Sequence, residues 1–456
     1  LHPICSLYYQ IFMFRPILPV QLFVTCLTLL LLTLQACSTD SGPSHPFTKG
    51  NGTEENPYWI SDIDQLQAIN DPEFLDKHFV QVRDIDASES SEFNDGKGFL
   101  PIGTAGNPFL GSYNGNGFKI SDLNLWNIEH QNSGLFGYIK NSLIENVTLE
   151  KSFSENCGSE KSAQKAKEQY ILSDQSFIIR SDELRQGAGS LVGYNDGGTI
   201  RNSMATGDFA VESPYLGGLV GYNAGLIENS NYTGHVSGLN STGGLVGYNI
   251  GQIHNSHASG CSSASTAGGL AGFNFGQISN SSASSTLWGL RVGGLVAVHE
   301  EGIVQGCYAS GETRGYGSTS GGLTAVNSAE IKDSYSLIVF SESFKADNMG
   351  GITGTNSETG IIMTSYSAVK LSSEVNSNTG GIAGLNDGLF EANYFHITAS
   401  GVKSGTGSGN EDGTTGLSPS QMTGPAAQEN MPEFDWVNTW ATTPDGYPVL
   451  RWQVEE

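Results

Sequence analysis

A few residue groups in this 456-residue chain are of types that could do chemistry. His299-Glu300-Glu301 has the opening of a zinc-protease helix, but Ile303 stands where His-Glu-x-x-His needs its second histidine, so no metal site is expected. His254 and His257 lie three apart on a strand and turn, which points them to opposite faces and makes them surface histidines. Arg201, Glu228 and His254 fall at equivalent places in successive segments and read as an exposed ion-paired stripe. The carboxylates of Asp196, Glu228, Glu300, Asp333, Asp387 and Glu391 scatter, with no neighbouring pair set for acid and base work. Neither a catalytic residue nor a cofactor is expected.

The elements that must position these residues are copies of one unit. A Gly-Leu-Val-Gly-Tyr-Asn-like phrase begins at Gly134, returns at Gly189-Ser190-Leu191, and recurs at Gly218, Gly244, Gly269, Gly294, Gly322, Gly351 and Gly381. After an initial interval of 56 residues the spacing settles at 25 to 30, the signature of a solenoid whose rungs cannot bury a core alone. Each unit carries a second aliphatic phrase, giving a column of Ile200, Ile227, Ile253, Ile278, Val304, Ile331, Ile362 and Phe390. Both phrases are strand-length, Gly-containing turns separate them, and no helical i, i+3, i+4, i+7 pattern occurs. The fold expected is all-β, a parallel β-helix of about nine to ten rungs with capped ends.

Asn195, Asn223, Asn249, Asn274, Asn327, Asn356 and Asn386 form a polar column broken by His299. Stacked amides can hydrogen-bond along the axis, and Asn also tolerates a left-handed corner, so the column reads as a structural ladder rather than a ligand site. The Gly-Gly pairs read as corners needing positive φ or close backbone approach.

These phrases resemble the GLUG-motif proteins of bacteria. Gly218-Leu219-Val220-Gly221-Tyr222-Asn223-Ala224-Gly225-Leu226-Ile227-Glu228-Asn229-Ser230 reproduces the family phrase. Pro57-Tyr58-Trp59-Ile60-Ser61 through Phe118-Lys119-Ile120 is similar to the segment that precedes such repeats, and Leu417-Ser418-Pro419 through Arg451-Trp452 to their usual ending. The resemblance covers about residues 57 to 456. It implies secreted and surface proteins, including adhesin-like proteins and the non-catalytic parts of immunoglobulin A peptidase-like metallopeptidases, and it brings no catalytic residue. The copies depart from the phrase toward the C-terminus, where Ala297 and Ala325 replace the second Gly, Gly306 and Thr364 replace the Asn before a Ser column, and Asn393 replaces that Ser.

The apolar run Ile17 to Leu34 ends in Leu34-Gln35-Ala36-Cys37, similar to a bacterial lipobox. Residues 1–36 are expected to be a signal peptide, with Met13 a candidate start, and Cys37 to be lipidated, holding the protein to a membrane. Ser38 after the cysteine implies, by the same resemblance, the outer membrane. Residues 37–56 read as a flexible tether, 57–130 as an N-terminal cap and first rungs, 131–400 as the solenoid with an insertion near 150–187, and 401–456 as a C-terminal linker and cap. Ile63, Leu66, Ile69 and Phe74 should cover the first rung, and Trp436, Trp440, Leu450 and Trp452 should close the last. The 56-residue interval equals two periods, so it holds either a degenerate rung or a functional loop. Cys157, Cys261 and Cys307 offer no disulfide framework, because Cys307 falls in the Ser column and Cys261 lies two rungs away in another.

A net charge of −25 makes nucleic acid an unsuitable partner. The function expected is a lipid-anchored cell-surface protein presenting a rigid acidic β-solenoid for adhesion to an extracellular glycan or protein. The alternative is a carbohydrate-active β-helix enzyme. Ice binding is a weaker one, suggested by the column Thr206, Thr233, Ser259, Ser284 and Ser310. Acidic loops could bind Ca²⁺, though no Asp-rich calcium repeat is present.

Overall fold

Residues 45–125, 132–151, 186–211, 213–314, 317–341, 344–371 and 378–454 are described by the computed structural model of the chain. One rung shows how the sequence builds the rest. Strand β1 (Tyr215–Gly217) leads through Gly218-Leu219 into β2 (Val220–Asn223). Ala224-Gly225 turns the chain into β3 (Leu226–Glu228), and Asn229-Ser230 turns it into β4 (Asn231–Ser237). Leu216, Leu219, Val220, Ile227, Tyr232 and Val236 point inward and are buried. One rung later each residue meets its repeat equivalent in parallel register: Tyr222 opposite Tyr248, Asn223 opposite Asn249, Ile227 opposite Ile253.

Stacking of such rungs gives sheets of eight, ten, twelve and twelve strands, containing β1, β2, β3 and β4 respectively. Their pairings are parallel, so the fold is the expected parallel β-solenoid. Adjacent rungs lie about 4.8 Å apart, and one column of Leu and another of Ile fill the interior. At the N-terminal end, helix α1 (Ile63–Ala68) is capped by Asp62, whose carboxylate accepts from the Gln65 amide at 2.9 Å. Ile63, Leu66, Ile69 and Phe74 are buried there, and Phe47 packs its ring against Tyr58, Phe74 and Phe79.

The structure corrects two sequence-based expectations and closes one alternative that the sequence left open. Val192, Ile200 and Ala205 pair directly with Phe136, Ile144 and Leu149, so no degenerate rung fills the 56-residue interval. Residues 152–185 lie outside the described residues. Matching lengths had suggested a rung, but register is decided by which hydrogen-bonding edges meet.

The left-handed corner does not belong to the Asn ladder. It falls one corner later, at Asn146, Asn202, Asn229, Asn255, Asn280, Gly306, Asp333, Thr364 and Ala392, all with φ between +45° and +62°. The Gly-Gly pairs need space instead: a Cβ on Gly217 would lie 1.9 Å from the Val220 carbonyl oxygen, and one on Gly218 2.2 Å from that of Gly244.

Cys261 is disulfide-bonded, its partner lying outside the described residues, whereas Cys307 is a buried free thiol. Column arithmetic restricts only pairs of cysteines that both sit within rungs.

Candidate functional site

Two polar ladders run inside the wall. Asn195 Nδ2 donates to Asn223 Oδ1 at 2.8 Å, Asn223 to Asn249 at 2.8 Å, and Asn249 to Asn274 at 2.7 Å. Asn327 donates to Asn356 and Asn356 to Asn386, each at 2.8 Å. Each amide also serves its own turn; Asn195 bonds both N–H and C=O of Gly198. His299 enters the ladder by accepting from Asn274 Nδ2 at Nδ1, which leaves Nε2 to donate to the Glu330 carbonyl. All seven asparagines are buried and hydrogen-bonded, an arrangement that fixes register and leaves no group for a ligand.

The second ladder is the Ser column already visible in the sequence, where its spacing placed Cys307 but carried no sign of its hydrogen bonds. Ser203, Ser230, Ser256, Ser281 and Ser334 each donate to the carbonyl two residues earlier, while accepting a backbone N–H from the preceding rung. Cys307 takes the same place, its thiol on the Gln305 carbonyl, and burial pushes that thiol up to about 12.

Of the outward residues, Arg201 pairs with Glu145 on the preceding rung at 2.7 Å, not with Glu228. His254 bonds Ser279 and His257 bonds Ser282, so both imidazoles are half-buried parts of the wall. Tyr138, Tyr194, Tyr222 and Tyr248 stack on the β2 sheet at 4.5 to 4.9 Å and cover one another's ring faces. Among the described residues, no group of three or more His, Cys, Asp or Glu could hold a metal ion. No described helix is long and apolar enough to cross a membrane, and Cys37 lies outside the described residues.

A different arrangement stands on the β4 sheet. Its outward column runs Met204, Asn231, His257, Ser282, Tyr308, Tyr335, Tyr366, Tyr394. Tyr308, Tyr335 and Tyr366 stack at 5.0 Å with planes within 8°. The C-terminal segment lies along this column instead of across the end of the solenoid, where the tryptophans had been expected. Trp440 packs on Tyr335 and Tyr366, Phe434 on Tyr394, and Trp452 on Tyr308 at 5.9 Å. Tyr335 donates to Gln453, Tyr366 to the Pro448 carbonyl at 2.6 Å, and Tyr394 to Glu433.

The covering stops at Trp452. Two cavities, each of about 370 Å³, meet there and share Trp452 and Asn280. One lies over Asn255, His257 and Ser282; the other runs between Gln305 and the segment residues Asn438 and Arg451. Trp452 is held by its Nε1 donating to the Gly306 carbonyl at 2.9 Å. An aromatic ring fixed among amides can bind a polar ligand that has a flat apolar face. The sequence carried a signal for this place, since a Tyr follows the Ser column at Cys307-Tyr308, Ser334-Tyr335, Ser365-Tyr366 and Asn393-Tyr394.

The model of the GLUG motif matches residues 185–210. Halomucin of Haloquadratum walsbyi is 31% identical over 416 residues, 89% of this chain and 3% of halomucin. A protein of Evansella cellulosilytica assigned as a Gly-rich membrane protein is 35% identical over 113 residues, 25% of this chain and 13% of that protein. The chain thus spans only a small part of the length of these relatives. Among solved structures, a Bacteroides ovatus protein assigned as an immunoglobulin A1 protease superposes over 89% of this chain and 96% of its own, at 16% identity and TM-score 0.34. Another IgA1 protease covers 72% of this chain and 23% of its own, at 15% identity and TM-score 0.40. Superpositions at these scores bear on neither fold nor activity. The matched phrase recurs in register from rung to rung through Gly381, and on that ground the chain is a GLUG-motif repeat protein.

Proposed function

We propose that this protein belongs to the cell envelope, is held to a membrane through a lipidated Cys37, and binds an extracellular glycan or protein without altering it. The names of its relatives, a mucin-like one and a membrane one, support the envelope placement. The observation that carries ligand binding is the cavity pair at Trp452: a fixed aromatic side chain among polar groups, on the flank of a rigid wall. Almost every other side chain singled out in the sequence is accounted for by rung stacking.

The purified protein, applied to glycan and matrix-protein arrays with reducing-sugar release followed on the same polysaccharides, tests this reading. Retention without product is expected. Product release would instead establish the carbohydrate-active enzyme, and no retention on any surface would remove the binding role.

A further inference from the structure

We propose that the cavity pair at Trp452 is a subsite for an uncharged pyranose ring of a neutral polysaccharide. This rests on the ligand-binding reading above and names the ligand class.

The first reason is the indole. Sugar rings present axial C–H groups on one face and hydroxyls around the rim, so they bind a flat aromatic side chain backed by rigid protein. Trp452 is backed by Tyr308, pinned through Nε1 to the Gly306 carbonyl, and borders both cavities. The tyrosines beneath it are not available in this way, because their faces are taken by one another and by Trp440. At the end of this stack, by contrast, Trp452 borders open cavity on two sides.

The second reason is the polar rim. Asn255 and Asn280 bring side-chain amides that both donate and accept, matching hydroxyls that do the same, while Gln305 and Asn438, whose amide nitrogens donate to Asp333 and Asp435, add carbonyl oxygens that accept. Asn255 and Asn280 sit on consecutive rungs at the left-handed corner, with φ of 46° at each. Gly306 occupies that corner on the next rung and carries no side chain, which makes room for the second cavity.

The third reason is charge. The guanidinium lining this place, Arg451, already donates to the Trp436 carbonyl and helps hold the Asp435 carboxyl low, after the larger effect of Asn438. With a net charge of −25, the protein as a whole repels anionic chains. A uronic or sialylated polymer would find no committed cation here, whereas a neutral one needs none.

Cellohexaose, xylohexaose and mannohexaose are titrated into the full protein by calorimetry and tryptophan fluorescence, with hexagalacturonate as the acidic comparison. The variants are Trp452→Ala, Trp452→Phe and Asn280→Gly. The last keeps the corner conformation that Gly306 already shows, so it removes the amide without straining the rung. At least one neutral hexasaccharide should bind, weakened about tenfold or more by Trp452→Ala, less by Trp452→Phe, and several-fold by Asn280→Gly. Thermal unfolding of each variant separates lost binding from lost docking of the segment. Undiminished binding in both Trp452→Ala and Asn280→Gly would overturn the subsite while leaving the general binding role intact. Preference for hexagalacturonate would overturn the ligand class. Array retention confined to proteins would overturn the inference alone, and no retention at all would overturn both readings.

Discussion

At the residue scale, the buried amides carry the largest consequences. Asn249 accepts from Asn223 and donates to Asn274 and to the Gly251 carbonyl, so Asn249→Ala removes both axial bonds of that rung and one of its turn, while Asn223 and Asn274 keep the bonds to their own turns. Each hydrogen bond lost from the buried ladder costs about 1 kcal/mol. The urea midpoint should fall accordingly, with accelerated amide exchange spreading from that rung. Ala392 holds a left-handed backbone at φ 52° where most rungs place Asn or Gly. Ala392→Gly should therefore raise stability by about 1 kcal/mol, read as a higher thermal midpoint. His299 has its pKa lowered by burial, against the smaller raising effect of its bonds to Glu330 and Asn274. His257 is lowered for the same first reason. Both are below the unfolded value of about 6.5. In the window between the folded and unfolded pKa the unfolded chain binds more protons, so these groups leave stability intact above that window and erode it as pH falls through it. His299→Asn restores the ladder's own residue and should flatten this pH dependence of the melting temperature.

At the element scale, the C-terminal segment depends on its docking to the tyrosine column. Trp440 is fully buried between the column and Phe434, so Trp440→Ala removes a large ring from a packed seam, at a cost of about 3–5 kcal/mol. Because the segment touches the outside of the wall, the loss should be local. Limited proteolysis should then cut within residues 418–454 while the β signal of far-ultraviolet circular dichroism persists. Loss of the whole β signal would show that the segment is instead required by the rungs.

At the scale of the whole molecule, each rung contacts chiefly its two neighbours, so the solenoid is close to one-dimensional. Deleting residues 269–293, one full period without a cysteine, joins Gly268 to Gly294 and preserves every column. That variant should fold with a normal β spectrum. Deleting residues 244–256 breaks the period partway through a rung and should yield aggregated protein. The same modularity explains why an interval of 56 residues is tolerated: the wall closes with Val192 directly on Phe136.

The period, the parallel stacking and the inward Leu, Ile and Asn columns were determined by the sequence alone, because a repeated strand must bury the same face at every turn. Cys307 could be placed in the Ser column for the same reason. What lies outside the wall obeys no period. Neither the side-on docking of Trp440 and Trp452 nor the pairing of Cys261 follows from counting residues along rungs. The left-handed corner was also placed wrongly, since Asn occurs at two positions in the units from Asn195 to Asn280 and only backbone geometry tells them apart. Local repetition thus sets the wall. The cavities at Trp452 exist only because residues more than a hundred positions apart, such as Gly306 and Trp452, meet where a non-repeating segment ends on a repeating surface.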